Sequence, residues 1–162
     1  LNKQVNAELY SAYMYLSMSA YFSSANLPGF ASWMKIQAQE ETGHAMKIYD
    51  FIIERAGRAT LKAIEAPPAQ WKSPLDAFEA TFKHEQKVTG LINNLVDLAI
   101  EEKDHATKGF LQWFVDEQVE EEASADAIVQ QLKLIKEAPG ALFMINNQLG
   151  QRTAGGGENE KE

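Results

Sequence analysis

The sequence contains no cysteine, which excludes a disulfide framework and any thiolate metal site. It has no apolar run near the ~20 residues that a membrane helix requires. Its opening residues, Leu1-Asn2-Lys3-Gln4, lack the basic start and apolar core of a secretory leader. The expectation is therefore a cytoplasmic protein without a membrane partner, although a chain that does not begin with Met leaves its natural start open. Positive charge is scarce: 15 Lys and Arg stand against 23 Asp and Glu, a net charge of −8. That balance argues against binding a nucleic-acid backbone and suits a protein that attracts cations. No stretch alternates convincingly as a strand, and residues 2–25 hold neither glycine nor proline. What remains is 162 residues, 45% hydrophobic, enough for one domain with a substantial core.

Taken in order, the chain reads as helices at about 1–26, 28–56, 74–102, 105–136 and 140–149. The first carries a stripe of Leu1, Val5, Glu8, Ala12, Tyr15, Ser19 and Phe22, stepping by three and four. Asn26-Leu27-Pro28-Gly29 is a turn, and Pro28 opens the second helix, whose stripe is Phe30, Met34, Gln37, Glu41, His44, Ile48 and Phe51. Gly57 is expected to end that helix as a left-handed cap. Ala66-Pro67-Pro68 and Trp71 mark an extended crossover, too long for a tight hairpin. Ser73-Pro74-Leu75-Asp76 then reads as a capped helix start, and Asp104 as the cap of the fourth helix. The third stripe is Leu75, Phe78, Phe82, Glu85, Ile92, Leu95 and Ala99; the fourth is Leu111, Phe114, Gln118, Glu121, Ala125, Ile128, Leu132 and Ile135. Residues 141–145 suggest a short fifth helix. The fold class this implies is all-α: an antiparallel four-helix bundle with a long crossover between helices two and three, occupying residues 1–150. Residues 151–162 read as a flexible, Gly-rich acidic tail.

Four carboxylates interrupt the apolar stripes, and their spacing repeats. Glu85 lies 77 residues after Glu8, Gln118 lies 77 after Glu41, and Glu121 lies 77 after His44. Each half supplies a Glu, a gap of 33 residues, and two ligand-type side chains three apart. One half gives Glu, then Glu-x-x-His; the other gives Glu, then Gln-x-x-Glu. Residues three apart share a helix face. If both halves are helical hairpins facing each other, six ligand-type side chains converge on one point. No Lys or Arg occupies the neighbouring turns of these stripes, and four bare carboxylates in a core would be prohibitive. Two divalent cations would match their charge. Oxygen ligands with one imidazole and no sulfur suit iron, manganese or zinc. The alternatives are carboxylates that share protons, or a site open to water.

These residues carry a closer likeness. Glu8-Leu9-Tyr10-Ser11, Gln39-Glu40-Glu41-Thr42-Gly43-His44, His84-Glu85, and Phe110-Leu111-Gln112-Trp113-Phe114 leading into Glu117-Gln118-Val119-Glu120-Glu121-Glu122 fall on the right helices in the right order. The sequence resembles a non-haem ferritin of the bacterial and archaeal type, over nearly its whole length except the Gly-rich tail. Symmetric di-iron bundles of the ferritin-like class take a Glu from each of two helices and Glu-x-x-His from each of the other two; here the second half carries Gln118-x-x-Glu121 instead. Bacterioferritins place a haem-ligating Met after the bridging Glu, where this chain has Thr42, so no haem is expected. Rubrerythrins usually add a four-cysteine domain, which is absent here.

The resemblance implies that Glu8, Glu41 and His44 hold a first iron and that Glu41 bridges to a second. It implies that Glu85 and Glu121 hold the second, with Gln118 as a weak ligand or hydrogen-bond partner. Glu40, Glu117 and Glu120, with Glu121, match a third iron site, and Tyr15 matches a tyrosine near the centre. The bland readings are a core aromatic for Tyr15 and a solvated acidic face for Glu117 to Glu122; next to a two-iron site that face reads instead as a route for iron. Trp113 reads as packing, His84 and His105 as surface or subunit-contact residues, and the five methionines as fillers. The implied activity is iron storage with ferroxidase chemistry, using dioxygen or peroxide, in a homo-oligomeric shell of twenty-four subunits. A peroxide-consuming bundle enzyme without storage, and a metal-free structural bundle, are the readings of other classes.

Overall fold

The computed structural model describes residues 1–135 and 138–153. Among these residues there are five helices and no strand: α1 (Asn2–Ser24), α2 (Pro28–Glu54), α3 (Pro74–Glu101), α4 (His105–Ile135) and α5 (Pro139–Leu149). They fall into two compact units, one of residues 1–71 with 138–153 and the other of residues 72–135. In the first, α1 packs on α2 and α2 on α5; in the second, α3 packs on α4.

Most residues of the stripes read from the sequence are buried, while Leu1, Ser19, Phe51, Leu75, Phe82, Leu95 and Ile135 are half-buried. On α1, Val5, Glu8, Ala12, Tyr15 and Phe22 are buried, joined by Gln4, Ser11, Met14 and Met18. On α2 the buried set includes Phe30, Met34, Gln37, Glu41, His44 and Ile48; Phe22 and Phe30 stack with ring centroids 5.1 Å apart. On α3 it includes Phe78, Glu85, Ile92 and Ala99, and on α4 Leu111, Phe114, Gln118, Glu121, Ala125, Ile128 and Leu132. Trp113 sits edge-on to Phe114 at 4.8 Å, the packing role expected of it.

Helix starts follow the caps in the sequence. Asp76 N donates to Ser73 Oγ at 3.1 Å with Pro74 in the first turn, and Thr107 N donates to Asp104 Oδ1 at 3.1 Å. Helix ends differ from expectation in one respect. Three helices close in the same way, with a left-handed residue after the cap: Asn26 (φ 57°), Ala56 (φ 56°) and Lys103 (φ 56°). Leu27 N, Gly57 N and Asp104 N then reach back to Phe22 O, Ile52 O and Ala99 O. This is the Schellman closure. The left-handed residue ending α2 is thus Ala56, not Gly57. Gly57 is required for a different reason: a Cβ there would stand 2.9 Å from Ile52 O, the acceptor of its own N–H.

The connection from α2 to α3 lies along α1. Asn2 Nδ2 donates to Arg58 O and Thr60 N donates to Asn2 Oδ1, at 3.0 and 2.8 Å. Further on, Ser17 Oγ donates to Pro68 O at 2.6 Å, and Trp71 meets Tyr21 edge-on. The segment therefore starts beside the first turn of α1 and finishes beside its last, which is the crossover anticipated from the two prolines.

Helix α5 is locked to the start of α2. The N-cap position of α2 is Leu27, which offers no side-chain acceptor, and Asn146 supplies one from α5: Gly29 N and Phe30 N donate to its Oδ1 at 2.8 and 3.4 Å. Ile145 and Leu149 are buried, while Phe143 and Met144 are exposed. Of the expected flexible tail, Arg152 is anchored instead. Its guanidinium donates to Gln37 Oε1 at 2.8 Å and Glu40 Oε2 at 2.5 Å and lies 4.6 Å from the centre of the Trp33 ring. Residues 154–162 lie outside the described residues.

Candidate metal centre

The first half-site is built by one turn of α1 and two of α2. Glu8, Glu41 and His44 are 1%, 2% and 7% exposed, and one ligand atom of each lies within 4.8 Å of the others. Three helical side chains with this burial meet only because the α1 and α2 stripes face each other in register. His44 Nδ1 stands 3.4 Å from Glu41 Oε2, and Gln4 Nε2, one turn before Glu8, donates to Glu8 Oε1 at 2.8 Å. Burial, with a smaller contribution from the Lys47 cation, pushes the His44 imidazole down to about 4. The ring is therefore neutral at pH 7, the form that can offer a lone pair to a metal. Tyr15 is fully buried, two turns along α1 from Glu8.

The second half-site is in the other unit. Glu85 on α3 is 1% exposed, and Gln118 and Glu121 on α4 are buried three residues apart. The Gln118 side chain joins the two helices: its Nε2 donates to Glu85 Oε2 at 3.3 Å, to Glu85 O at 3.2 Å and to Thr89 Oγ1 at 3.2 Å. Thr89 Oγ1 in turn donates to Glu122 Oε1 at 2.5 Å, a short charge-assisted bond. The positions of the sequence repeat are thus buried in each hairpin alike, though the imidazole of one has a carboxylate as its counterpart in the other.

The outer acidic residues behave differently. Glu40 is half-buried and ion-paired to Arg152, Glu117 is half-buried, and Glu120 is exposed. Glu40 belongs to one unit and the other two to the second. His105 is exposed and His84, expected at the surface or at a subunit contact, is half-buried; burial, then Lys87, lowers its imidazole to about 4.

Three participants escaped the sequence reading. Gln4 and Thr89 each stand four residues from a ligand-type residue, so helical spacing alone could have nominated them. Arg152 carries no such signal, since its partners on α2 are 112 and 115 residues away.

Comparison with known proteins agrees with this geometry. The ferritin family model, described as a ferritin-like domain, matches residues 1–135. A bacterial non-heme ferritin of Bacteroides fragilis is 49% identical over 152 residues, covering 94% of each chain. One from Staphylococcus aureus is 40% identical over 153 residues, covering 94% of this chain and 92% of its own. An open-pore ferritin from the archaeon Archaeoglobus fulgidus superposes with a TM-score of 0.93 at 55% identity, covering 94% of both chains. The chain belongs to the ferritin family and has its all-α, ferritin-like fold.

Proposed function

We propose that the two half-sites together form a ferroxidase centre and that the protein stores the product as ferric mineral. The observation that carries this is the buried Glu8–Glu41–His44 cluster, whose ligand atoms lie within 4.8 Å of one another around a neutral imidazole. Two carboxylates and a nitrogen at that spacing have no apolar reason to share a core. Iron is the substrate. Glu8, Glu41 and His44 bind the first Fe(II), Glu41 bridges, and Glu85 and Glu121 bind the second, with Gln118 holding Glu85 by hydrogen bond.

In the reaction each of two Fe(II) gives up one electron. Dioxygen accepts both with two protons and leaves as hydrogen peroxide; hydrogen peroxide accepting two electrons and two protons leaves as two waters. The second iron has no imidazole, so its all-oxygen set suits Fe(III), the harder ion. A third iron at Glu40, Glu117, Glu120 and Glu121 would need the Glu40 carboxylate, which Arg152 holds; occupying that site requires Arg152 to move aside. Tyr15, buried two turns along α1 from Glu8, would serve this centre as a hydrogen-bonding group.

The named relatives are ferritins, and assembly into a shell of twenty-four copies, working in the cytoplasm, completes the proposal. Phe143 and Met144, exposed on the isolated chain at 64% and 72%, are the α5 residues with most to gain from burial between copies. The test is Fe(II) addition under air, following ferric absorbance and particle size together. Rapid absorbance growth inside a particle far above 18 kDa supports storage. Oxidation by a small oligomer would leave only the enzyme, and an absence of oxidation would remove both.

A further inference from the structure

The amide of Gln118 is a polar group whose orientation decides what Glu85 meets. Its nitrogen faces three acceptors: the Glu85 carboxylate, the Glu85 carbonyl and the Thr89 hydroxyl. An amide turned over would put its oxygen against the first two, both acceptors only, and its one remaining chance of a bond would be a proton from Thr89. Thr89 has a single hydroxyl proton, and the Glu122 carboxylate takes it at 2.5 Å. The turned amide is therefore left with no donor, and a buried acceptor without a donor costs about 1–3 kcal/mol.

These hydrogen bonds favour one orientation of the Gln118 amide. Resting on the reading of Glu85 as a ligand of the second iron, we propose that Thr89 and Glu122 are positioning residues. They hold Gln118 with its nitrogen on Glu85, and so fix the Glu85 carboxylate in its ligating orientation before metal arrives. Outer partners of this kind typically govern metal affinity by 10- to 100-fold.

The test is anaerobic Fe(II) titration of the assembled protein by calorimetry, read as two sites per chain, on Thr89→Val, Thr89→Ser and Glu122→Leu. Thr89→Val keeps the branched shape and removes the hydroxyl; it should weaken one Fe(II) site about tenfold or more and leave the other at the parental affinity. Thr89→Ser should restore the weakened site. Glu122→Leu should weaken it too, because the freed Thr89 proton can then be donated to a turned Gln118 amide oxygen. The proposal is overturned if Thr89→Val binds two Fe(II) like the parent, or if Thr89→Ser fails to rescue, which would mean that packing was lost. A parent protein that binds no Fe(II) in the pair would instead overturn the ferroxidase reading on which this one rests.

Discussion

Gly29 is the position at which a single methyl group should do most damage. A Cβ there would sit 1.6 Å from the main-chain oxygen of Asn146, 2.6 Å from its carbonyl carbon and 3.0 Å from Gly150 N. A carbon needs about 3.3 Å from an oxygen, so Gly29→Ala must drive α5 away from α2 by roughly 1.5–2 Å. All three obstacles are backbone, and none can rotate away. That displacement breaks the 2.8 Å bond from Gly29 N to Asn146 Oδ1 and the longer one from Phe30 N. Losing a helix cap costs about 1 kcal/mol, and overpacking costs about 1–3 kcal/mol more. The expected loss is about 2–4 kcal/mol, limited by what docking of α5 contributes, since α5 can detach altogether. Asn146→Ala is the control: it removes the cap without the clash and should cost about 1 kcal/mol. Denaturant unfolding gives the global change, and hydrogen exchange over residues 139–149 reports detachment directly. Gly29→Ala within about 0.5 kcal/mol of the parent, with α5 amides equally protected, would refute the close approach.

His44→Ala should slow Fe(II) oxidation at least about tenfold while the helical signal survives, because it removes the only nitrogen ligand and no backbone contact; parental oxidation rates in the variant would take His44 out of the centre. The metal-free protein should weaken in mild acid. His44 and His84 sit near 4 when folded against 6.5 in the open chain, so the unfolded state binds more protons between those values. Their contribution is complete above about pH 6.5 and declines as pH falls toward 4, by up to about 3 kcal/mol for His44 and less for half-buried His84. Unfolding midpoints at pH 7.5 and 4.5 measure this, and His44→Gln should flatten the acid limb; an unchanged pH slope would contradict it. Ala56→Gly should stabilise by about 0.5–1 kcal/mol, because alanine carries the left-handed penalty that glycine escapes, and a lower melting temperature would count against that closure.

Much of this was legible because it depends on local periodicity. The 77-residue offset between Glu8, Glu41 and His44 and their counterparts Glu85, Gln118 and Glu121 needs no coordinates, and every one of those residues is buried. Ser73 and Asp104 act as caps because a cap depends on residues three positions away. The failures lie where distant segments decide. Gly57 looked like the left-handed residue since glycine usually is, but helix length places that conformation on Ala56, and the Ile52 carbonyl is what Gly57 must approach. Arg152 sits in a stretch whose composition reads as disordered, and its side chain is held by Trp33, Gln37 and Glu40, all on α2.

The capping of α2 by Asn146 also sets a timetable for biosynthesis. The Gly29 amide and its acceptor are 117 residues apart, so at ~5–20 residues per second the ribosome makes one roughly 6–23 s before the other. The α3–α4 hairpin lies within residues 72–135 and takes no part in this contact, whereas the α1–α2 hairpin receives it only once Asn146 has been made. Until then the nascent chain presents two bare amides at the head of α2 and a Trp33 indole without the Arg152 that covers it. A product that terminates early keeps those features for good. Synthesis of α5 is thereby registered on the α1–α2 hairpin, at the head of α2.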